Sequence, residues 1–322
     1  MPSELTAAIQ AAAQRALADE GCAYVIGYRP GTTPYRAAPL FADTPEQAAD
    51  LTFDCLCTQN LANYATKLKE KVGIVAKGCD ARALQVLLVE NQVKRDQLFI
   101  IGVPCEGLVD VGKILARADV KRADITSVAL SGDEVIVNQG DSELRLPAAE
   151  YLRAECLGCQ YPTPQDADVL VADPVPARDP GAWAADLERV DAMSPEERIE
   201  YFERGFSRCI RCYACVKGCP MCYCTTCFAV QDKPQWLPRM TGLDENRMFH
   251  LGRALHLAGR CVDCGQCDRV CPVSIPLREL NTKLAAEVKD LFGFTAGVDT
   301  EQNPPLTTFK PEDTEEALDT HH

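Results

Sequence analysis

The sequence predicts an α/β N-terminal domain with a partly parallel sheet, followed by a smaller, cysteine-rich α+β domain. Residues 71–92 and 96–115 each read as an apolar strand, a glycine-containing turn and a helix. Successive strand–turn–helix units favour a parallel sheet. Eleven of the 18 cysteines lie within residues 209–227 and 261–271, which sets the second domain apart. A chain of 322 residues is long enough for both cores.

Local patterns predict the remaining N-terminal elements. Residues 4–19 have the apolar spacing of an amphipathic helix, and residues 22–28 are typical of a strand. Thr44 is placed to cap a short helix, and residues 58–71 predict another helix. Residues 126–139 alternate about a Ser-Gly-Asp turn, which predicts a β-hairpin.

A proline- and alanine-rich stretch divides the chain. The predicted units are the α/β domain 1–171, a linker 172–193, the cysteine-rich domain 194–295 and an acidic tail 296–322. Ser194 and Glu197 are spaced as a capping box that begins the first helix after the linker. From Asp299 onward one lysine stands against seven acidic residues, so we expect a solvated, flexible tail.

Composition excludes several classes of protein. The net charge of −14 argues against a partner as anionic as nucleic acid. No run of about 18 apolar residues is present, so no membrane span is expected. The N-terminus lacks a basic segment followed by an apolar one, which predicts a cytoplasmic protein. In a reducing compartment, so many cysteines indicate metal or redox chemistry rather than disulfides.

The spacing Cys-x2-Cys-x2-Cys-x3-Cys-Pro occurs twice, at residues 209–220 and 261–272. This is the pattern of bacterial two-cluster ferredoxins, in which the fourth cysteine of each run ligates the other cluster. The sequence therefore predicts an α+β dicluster ferredoxin-like domain with two 4Fe–4S sites. One site comprises Cys209, Cys212, Cys215 and Cys271, and the other Cys261, Cys264, Cys267 and Cys219. Zinc bound by thiolates is the alternative.

A helix is predicted between the two runs. Asp244 can cap it and Gly259 can close it. His250 and His256 lie on this helix, and neither has the spacing of a ligand, so both are interpreted as packing or surface residues.

Four further thiols lie in the first half of the chain. Cys79 and Cys105 each follow a predicted strand, at the sheet edge where α/β proteins bind ligands, and each is expected at a helix start. Cys156 and Cys159 form a Cys-x2-Cys pair in a proline-rich loop. These four thiols can complete a third cluster, or Cys79 and Cys105 can be small buried residues.

The segments KGCDARALQVLLVE, IIGVPCEGLVD and ECLGCQ, with DADVLVAD after them, resemble the beta-subunit family of deazaflavin-coenzyme-reducing hydrogenases and formate dehydrogenases. The two cysteine runs look like the dicluster ferredoxin module that accompanies such subunits. The resemblance covers most of residues 50–290. It implies an iron–sulfur flavoprotein that carries FAD beside a 4Fe–4S cluster and exchanges electrons with a soluble carrier. It also implies that Cys79, Cys105, Cys156 and Cys159 are ligands.

FAD rests on the resemblance, because no Gly-x-Gly-x-x-Gly loop follows a strand. Lys77 and Arg82 flank the glycine turn and are candidate contacts for the phosphates of a cofactor. An ordinary surface pair is the alternative.

Six cysteines remain. Cys222, Cys224 and Cys227 could hold a fourth cluster together with Cys57, with Cys55 as the competing donor. A zinc site and three buried thiols are the alternatives. Cys22 is interpreted as a small buried residue.

These patterns predict an electron-transfer subunit of an anaerobic oxidoreductase complex. Electrons would pass through at least two 4Fe–4S clusters, with a third and a fourth as further candidates, between a flavin or soluble carrier and a catalytic partner. That partner would be a hydrogenase, a formate dehydrogenase or a heterodisulfide-reductase-like protein. The alternative is a conducting polyferredoxin-type subunit without flavin or substrate. No arrangement indicates hydrolysis or group transfer, so no catalytic residue is assigned.

Overall fold

The computed structural model describes residues 3–298 and 300–307, and the strands within them form two sheets. The strands are β1 Tyr24–Pro30, β2 Ala37–Ala42, β3 Val72–Ala76, β4 Leu98–Gly102, β5 Ile125–Ser131, β6 Glu134–Gln139, β7 Ser142–Pro147 and β8 Val169–Leu170. The helices are α1 Glu4–Ala18, α2 Pro45–Ala48, α3 Gly78–Val89, α4 Val111–Leu115, α5 Ala148–Tyr151, α6 Ala154–Leu157, α7 Gly181–Asp191, α8 Pro195–Phe206, α9 Ala214–Gly218, α10 Leu243–Leu257, α11 Gln266–Arg269 and α12 Leu277–Phe292. Short 3₁₀ helices lie at Leu61–Lys67, Arg95–Gln97 and Pro305–Thr307.

The larger sheet has the strand order β2-β1-β3-β4-β8. The pairs β1–β3, β3–β4 and β4–β8 are parallel, and β1–β2 is antiparallel. Every residue of β3 and β4 is buried, as expected for parallel strands covered on both faces. The predicted α/β domain with a partly parallel sheet is therefore confirmed.

The predicted hairpin is also confirmed, and it belongs to a separate sheet. Strands β5 and β6 pair antiparallel, and β7 adds a third strand beyond the predicted hairpin. Val128, Val135, Val137 and Leu146 give this sheet its own small core.

The helix expected over residues 58–71 is reduced to the 3₁₀ helix Leu61–Lys67. Buried side chains take the backbone N–H groups that a longer helix would use. The Asn60 side chain accepts from Ala62 N at 3.1 Å, and Asp80 accepts from Leu61 N at 3.2 Å. By contrast, the predicted caps at Thr44 and Ser194 are both present.

The cysteine-rich region consists of helices α8–α12 joined by loops, and no strand is assigned among its described residues. Helix α10 is capped by Gly242, so Asp244 lies in its first turn instead of at the cap. Gly259 follows its end with φ +71°, a backbone conformation that suits glycine. Among the described residues no helix is both long and apolar enough to cross a bilayer.

Two segments predicted as a linker and a tail contain ordered structure. Part of the predicted linker forms α7, which packs against α6 and α12. Ala296, at the start of the predicted tail, is buried, and its carbonyl accepts from Arg82 Nη2 at 2.8 Å. Asp299 and residues 308–322, which carry most of the acidic run, lie outside the described residues.

One hydrophobic core crosses the predicted domain boundary. Ile74 and Val75 of β3 share it with Met221, Leu257 and Phe294 from the cysteine-rich half. The two halves are thus packed together, and some thiols of both halves line one cavity.

Candidate iron–sulfur centres

Set one comprises the thiols of Cys209, Cys212, Cys215 and Cys271. Burial, opposed by Arg253 and helped by the three other thiols of the set, raises the pKa of Cys215 to about 11. Backbone N–H groups also point at sulfur atoms here. Arg211 N donates to Cys209 Sγ, and Ile275 N donates to Cys271 Sγ, both at 3.4 Å.

Set two comprises Cys219, Cys261, Cys264 and Cys267, which line one cavity. Burial, with neighbours that include Cys264 and Cys219, raises the pKa of Cys261 to about 12. The structure therefore brings the fourth cysteine of the first run to the second run, and the reverse, as the spacing predicts.

The two cysteine runs share one loop conformation. Arg211 and Tyr213 have φ of 53° and 59°, and the equivalent Asp263 and Gly265 have φ of 51° and 65°. A short helix follows each loop, α9 in the first run and α11 in the second. Left-handed residues between the cysteines turn the chain so that successive thiols face the same interior point.

Set three comprises Cys79, Cys105, Cys156 and Cys159, which line a cavity of about 370 Å³. Cys79 lies in the first turn of α3, and Cys156 lies in α6. Cys105 lies in a loop, six residues before α4 begins, which corrects its expected place at a helix start. Burial raises the pKa of Cys105 to about 11, and Lys77 opposes this shift.

Gly78 explains how the third set is assembled. A Cβ atom at this position would lie 1.7 Å from the Tyr161 carbonyl oxygen, so only glycine allows the loop to approach the start of α3. That loop carries Cys159, two residues before Tyr161. Gly78 therefore allows Cys79 and Cys159 to come close together.

The residues present fit iron–sulfur clusters. Twelve thiols are the donors that such clusters require, and buried arginines beside them have N–H groups without a partner: Arg211 Nε and Nη1, Arg253 Nε and Arg269 Nε. Buried cations are costly unless anions match them, and thiolates on a cluster supply that negative charge. Within the described residues, no three His, Cys, Asp or Glu side chains converge as a site for one metal ion.

Arg253 connects sets one and two. Burial opposes its charge, but the thiols of Cys222, Cys219, Cys215 and Cys267 raise its pKa. No sequence motif marks this residue. The sequence offers one indication: Arg253 lies four positions from both Phe249 and Leu257, and thus on the apolar face of the predicted helix.

Sets three and two share the cavity of about 370 Å³, because Cys261 and Cys264 also line it. We call it the larger cavity because it exceeds the other cavity lined by a thiol set. An ion pair spans the same junction: Arg269 Nη1 lies 2.5 Å from Glu155 Oε1 and donates to the Cys264 carbonyl at 2.6 Å. The three sets therefore lie in the order three, two, one. Of the twelve thiols, only Cys212 of set one is exposed.

Lys77 borders the larger cavity, but its ammonium group is engaged within the chain. Its ammonium group is 1% exposed and donates to Asp80 Oδ2, Tyr28 Oη and the Gln59 carbonyl, each at 2.8 Å. All three N–H bonds are thus used, which corrects the expected phosphate contact.

Arg82 borders the larger cavity. Its guanidinium lies over the Tyr161 ring at 4.5 Å and donates to the carbonyls of Val262 and Ala296. It joins α3 to the cysteine-rich half, and it remains close enough to the cavity to contact a ligand there.

The candidate ligands of a fourth cluster lie in different surroundings. The Cys57 thiol is buried against Asp54 at 3.5 Å, and Cys55 packs below the smaller sheet. Hydrogen bonding with Cys219, opposed by burial and aided by Arg253, lowers the pKa of Cys222 to about 7. Cys224 is exposed, whereas Cys227 packs in the core around Phe249. The fourth cluster stays a prediction, and Cys22 is buried as expected.

Both histidines take the roles expected of them. His250 stacks on Phe206 with ring centroids 4.8 Å apart, and burial, Arg253 and Arg211 lower its pKa to about 3. His256 is exposed and lies edge-on to Phe228.

Comparison with known proteins identifies two segments. Residues 69–191 match the family that describes the C-terminal part of coenzyme F420 hydrogenase/dehydrogenase beta subunits, and residues 205–275 match the 4Fe–4S dicluster domain. The chain is 23% identical to an F420-dependent formate dehydrogenase subunit beta of Methanocaldococcus jannaschii, over 88% of this chain and 89% of that protein. It is 24% identical to F420-dependent formate dehydrogenase 1 subunit beta of Methanococcus maripaludis, over 88% of each.

A chain of the F420-reducing [NiFe] hydrogenase complex from Methanosarcina barkeri is similar at 14% identity, with a TM-score of 0.42, over 64% of this chain and 90% of that one. The resemblance carried by the motifs is confirmed: residues 69–191 match the coenzyme F420 hydrogenase/dehydrogenase beta-subunit model, and residues 205–275 match the 4Fe–4S dicluster model.

Proposed function

We propose that this chain is the electron-transfer subunit of an oxidoreductase complex and holds three 4Fe–4S clusters. The observation that carries the proposal is the row of three four-thiol sets, in which neighbouring sets share a cavity or an arginine. A 4Fe–4S cluster, when bound, gives and accepts one electron at a time. Three such centres in a row form a path from the larger cavity to the surface at Cys212.

The chain's own residues set the conditions for this transfer. Cysteine thiolates would hold the iron, and the buried arginines would stabilise the negative charge on the thiolates. Most of the thiols are at least partly buried, which keeps water from the clusters. The overall charge of −14 disfavours each added electron and thus favours low potentials.

We infer that the larger cavity receives a two-electron partner, FAD or a deazaflavin carrier. Its volume of about 370 Å³ lies within the usual range of ligand sites, and Tyr161, Trp183, Arg82 and Lys289 offer aromatic faces and positive charge. The names of both curated relatives, which are F420-dependent formate dehydrogenase subunits, support a carrier of this class. A cytoplasmic complex with a formate dehydrogenase or hydrogenase subunit fits the same reading.

One observation favours the second candidate, a purely conducting subunit. Six cysteines line the larger cavity, so the clusters would occupy part of its volume and leave less room for a flavin. Lys77, the candidate phosphate contact that directly follows β3, donates its three ammonium N–H bonds to other groups of the chain.

The test is the cofactor content of the full chain purified without oxygen. Three clusters require about twelve iron atoms and twelve acid-labile sulfides per chain. Cys159→Ser should lose about four of each, whereas Cys22→Ser, at a buried thiol outside the sets, should lose none. Flavin that co-purifies, or binds on addition of FAD, supports the first candidate, and full iron without flavin supports the second. Zinc without sulfide would refute both.

A further inference from the structure

An apolar and basic surface surrounds the exposed end of the cluster row. Ile210, Val230, Trp236 and Met240 are between 50% and 66% exposed, which is unusual for side chains of this type so close together in sequence. Arg208 and Lys233, two and three residues before Ile210 and Trp236 in the sequence, are also exposed. We call these six residues the Cys212 face. Tryptophan, methionine and arginine are the residues that protein interfaces favour.

Two contacts hold the parts of this face together. Arg211 Nη2 donates to the Pro238 carbonyl at 2.9 Å, which fixes the Trp236–Met240 segment against the loop of set one. Tyr213 Oη donates to the Ala229 carbonyl at 3.4 Å, which does the same for Val230. Ile210 and Cys212 are exposed members of that same loop. The apolar side chains therefore border the most accessible cluster ligand.

The charge of this region is opposite to that of the chain. Among residues 204–240, five exposed basic side chains stand against one exposed acidic side chain, a net surface charge of +4, in a protein of net charge −14. The one acidic residue, Asp232, lies 2.7 Å from Arg239 and is thereby neutralised. A surface with this charge attracts a partner whose docking face is acidic.

We propose that the Cys212 face is the docking site for a redox protein that carries a one-electron centre behind an acidic, partly apolar face. The proposal rests on the proposed function, and it names the surface through which the row of clusters exchanges electrons with that partner. In each event the centre held by set one is oxidised by one electron and the partner's centre is reduced by one, or the reverse. No bond is made or broken, and no proton is required.

Other occupants fit the observations less well. An anionic membrane would match the charge, but it would cover the exposed cluster ligand with a surface that accepts no electron. Two copies paired symmetrically would bring two basic faces together, and these faces would repel. A redox protein with an acidic face meets both the charge and the position of Cys212.

The experiment uses the full chain with its clusters, reduced without oxygen and mixed in stopped flow with one of two probes. An acidic blue-copper protein and a basic cytochrome c both accept one electron with ample driving force. Opposite charges should make the rate constant for the acidic probe roughly tenfold or more higher at low salt, and added salt should lower it. Lys233→Glu with Arg208→Glu should lower that rate constant about tenfold, and Trp236→Ser should lower it without changing the salt dependence.

The matched control is Lys121→Glu with Arg122→Glu, which changes the overall charge equally at exposed positions before β5. Its effect should be small. Iron content and the reduced-cluster EPR signal are measured for every variant, so loss of a cluster is separated from loss of docking. Absence of clusters in the unmodified chain refutes the proposed function. Four outcomes with intact clusters refute the docking site alone. These are equal rate constants for both probes, equal losses of rate in the control variant, stronger binding to anionic vesicles, and self-association through this face.

Discussion

Arg253 Nη2 donates to the carbonyl oxygen of Cys215 at 3.1 Å, which places one buried cation against a ligand of set one. The same side chain borders the cavity that the four thiols of set two line. A fixed positive charge between two iron–sulfur sites stabilises whichever of them has gained an electron.

Arg253→Gln should therefore lower the midpoint potentials of both ferredoxin-type clusters and leave the third unchanged. A tenfold change in the reduction equilibrium corresponds to about 59 mV for one electron, and we expect a shift of that order. EPR-monitored redox titration measures it. Arg253→Lys should retain most of the potential because the charge remains. Arg247→Gln, on the exposed side of α10 where Arg247 pairs with Asp244, is the control. Equal shifts in both glutamine variants would show that the effect is not local.

Removal of a central ligand should interrupt the row. Cys264→Ser should lose about four iron atoms per chain, and electrons from a reductant at the larger cavity should no longer reach the Cys212 end. Cys224→Ala is the control, since Cys224 is exposed and outside all three sets. Iron analysis and EPR report both outcomes. Iron loss in Cys224→Ala would instead support the predicted fourth cluster.

The ion pair between Glu155 and Arg269 should stabilise the junction of sets three and two. Both side chains are nearly buried, so Glu155→Ala leaves the charge on Arg269 without its main partner. We expect the free energy of unfolding to fall by about 3–5 kcal/mol. Denaturant unfolding followed by circular dichroism measures it. Glu134→Ala breaks an ion pair with Arg145 that is half exposed, and it should leave unfolding unchanged. A similar loss in both variants would mean that burial of the pair is unimportant.

His250 should make stability depend on pH. Its pKa is lowered to about 3 in the folded chain, whereas an unfolded histidine titrates near 6.5. The stabilisation is therefore complete above pH 6.5 and is lost as the pH falls, because the unfolded chain then binds a proton that the folded chain rejects. The loss should be about 1.4 kcal/mol per pH unit. His250→Phe, which keeps a ring against Phe206, should remove this part of the slope. His256→Phe, at an exposed position, should not, and identical slopes in all three proteins would contradict the assignment.

Much of this site could be predicted because its information is local. The cysteine spacing predicts that the fourth cysteine of each run lies with the other run, and alternating strand and helix patterns place Cys79 at the end of a strand. The positions that could not be predicted depend on contacts distant in sequence. No residue close to Lys77 in the sequence indicates that Tyr28 and Gln59 will accept hydrogen bonds from its ammonium group. Arg253 likewise is indicated in the sequence only by its place on the apolar face of a predicted helix. The 58–71 segment has helical composition, but Asp80 of a later helix takes one of its backbone amides.

The core that Ile74 and Val75 share with Met221, Leu257 and Phe294 limits how such a chain can be rearranged. Grafting the ferredoxin-like segment onto an unrelated scaffold would expose its apolar contact surface to water. Deleting the segment from this chain would expose the apolar contact surface of the N-terminal half. If another lineage makes these halves as separate polypeptides, they must form a permanent pair rather than meet transiently. Fusion in one chain thus secures the spacing between electron-carrying centres by the same packing that lets the protein fold.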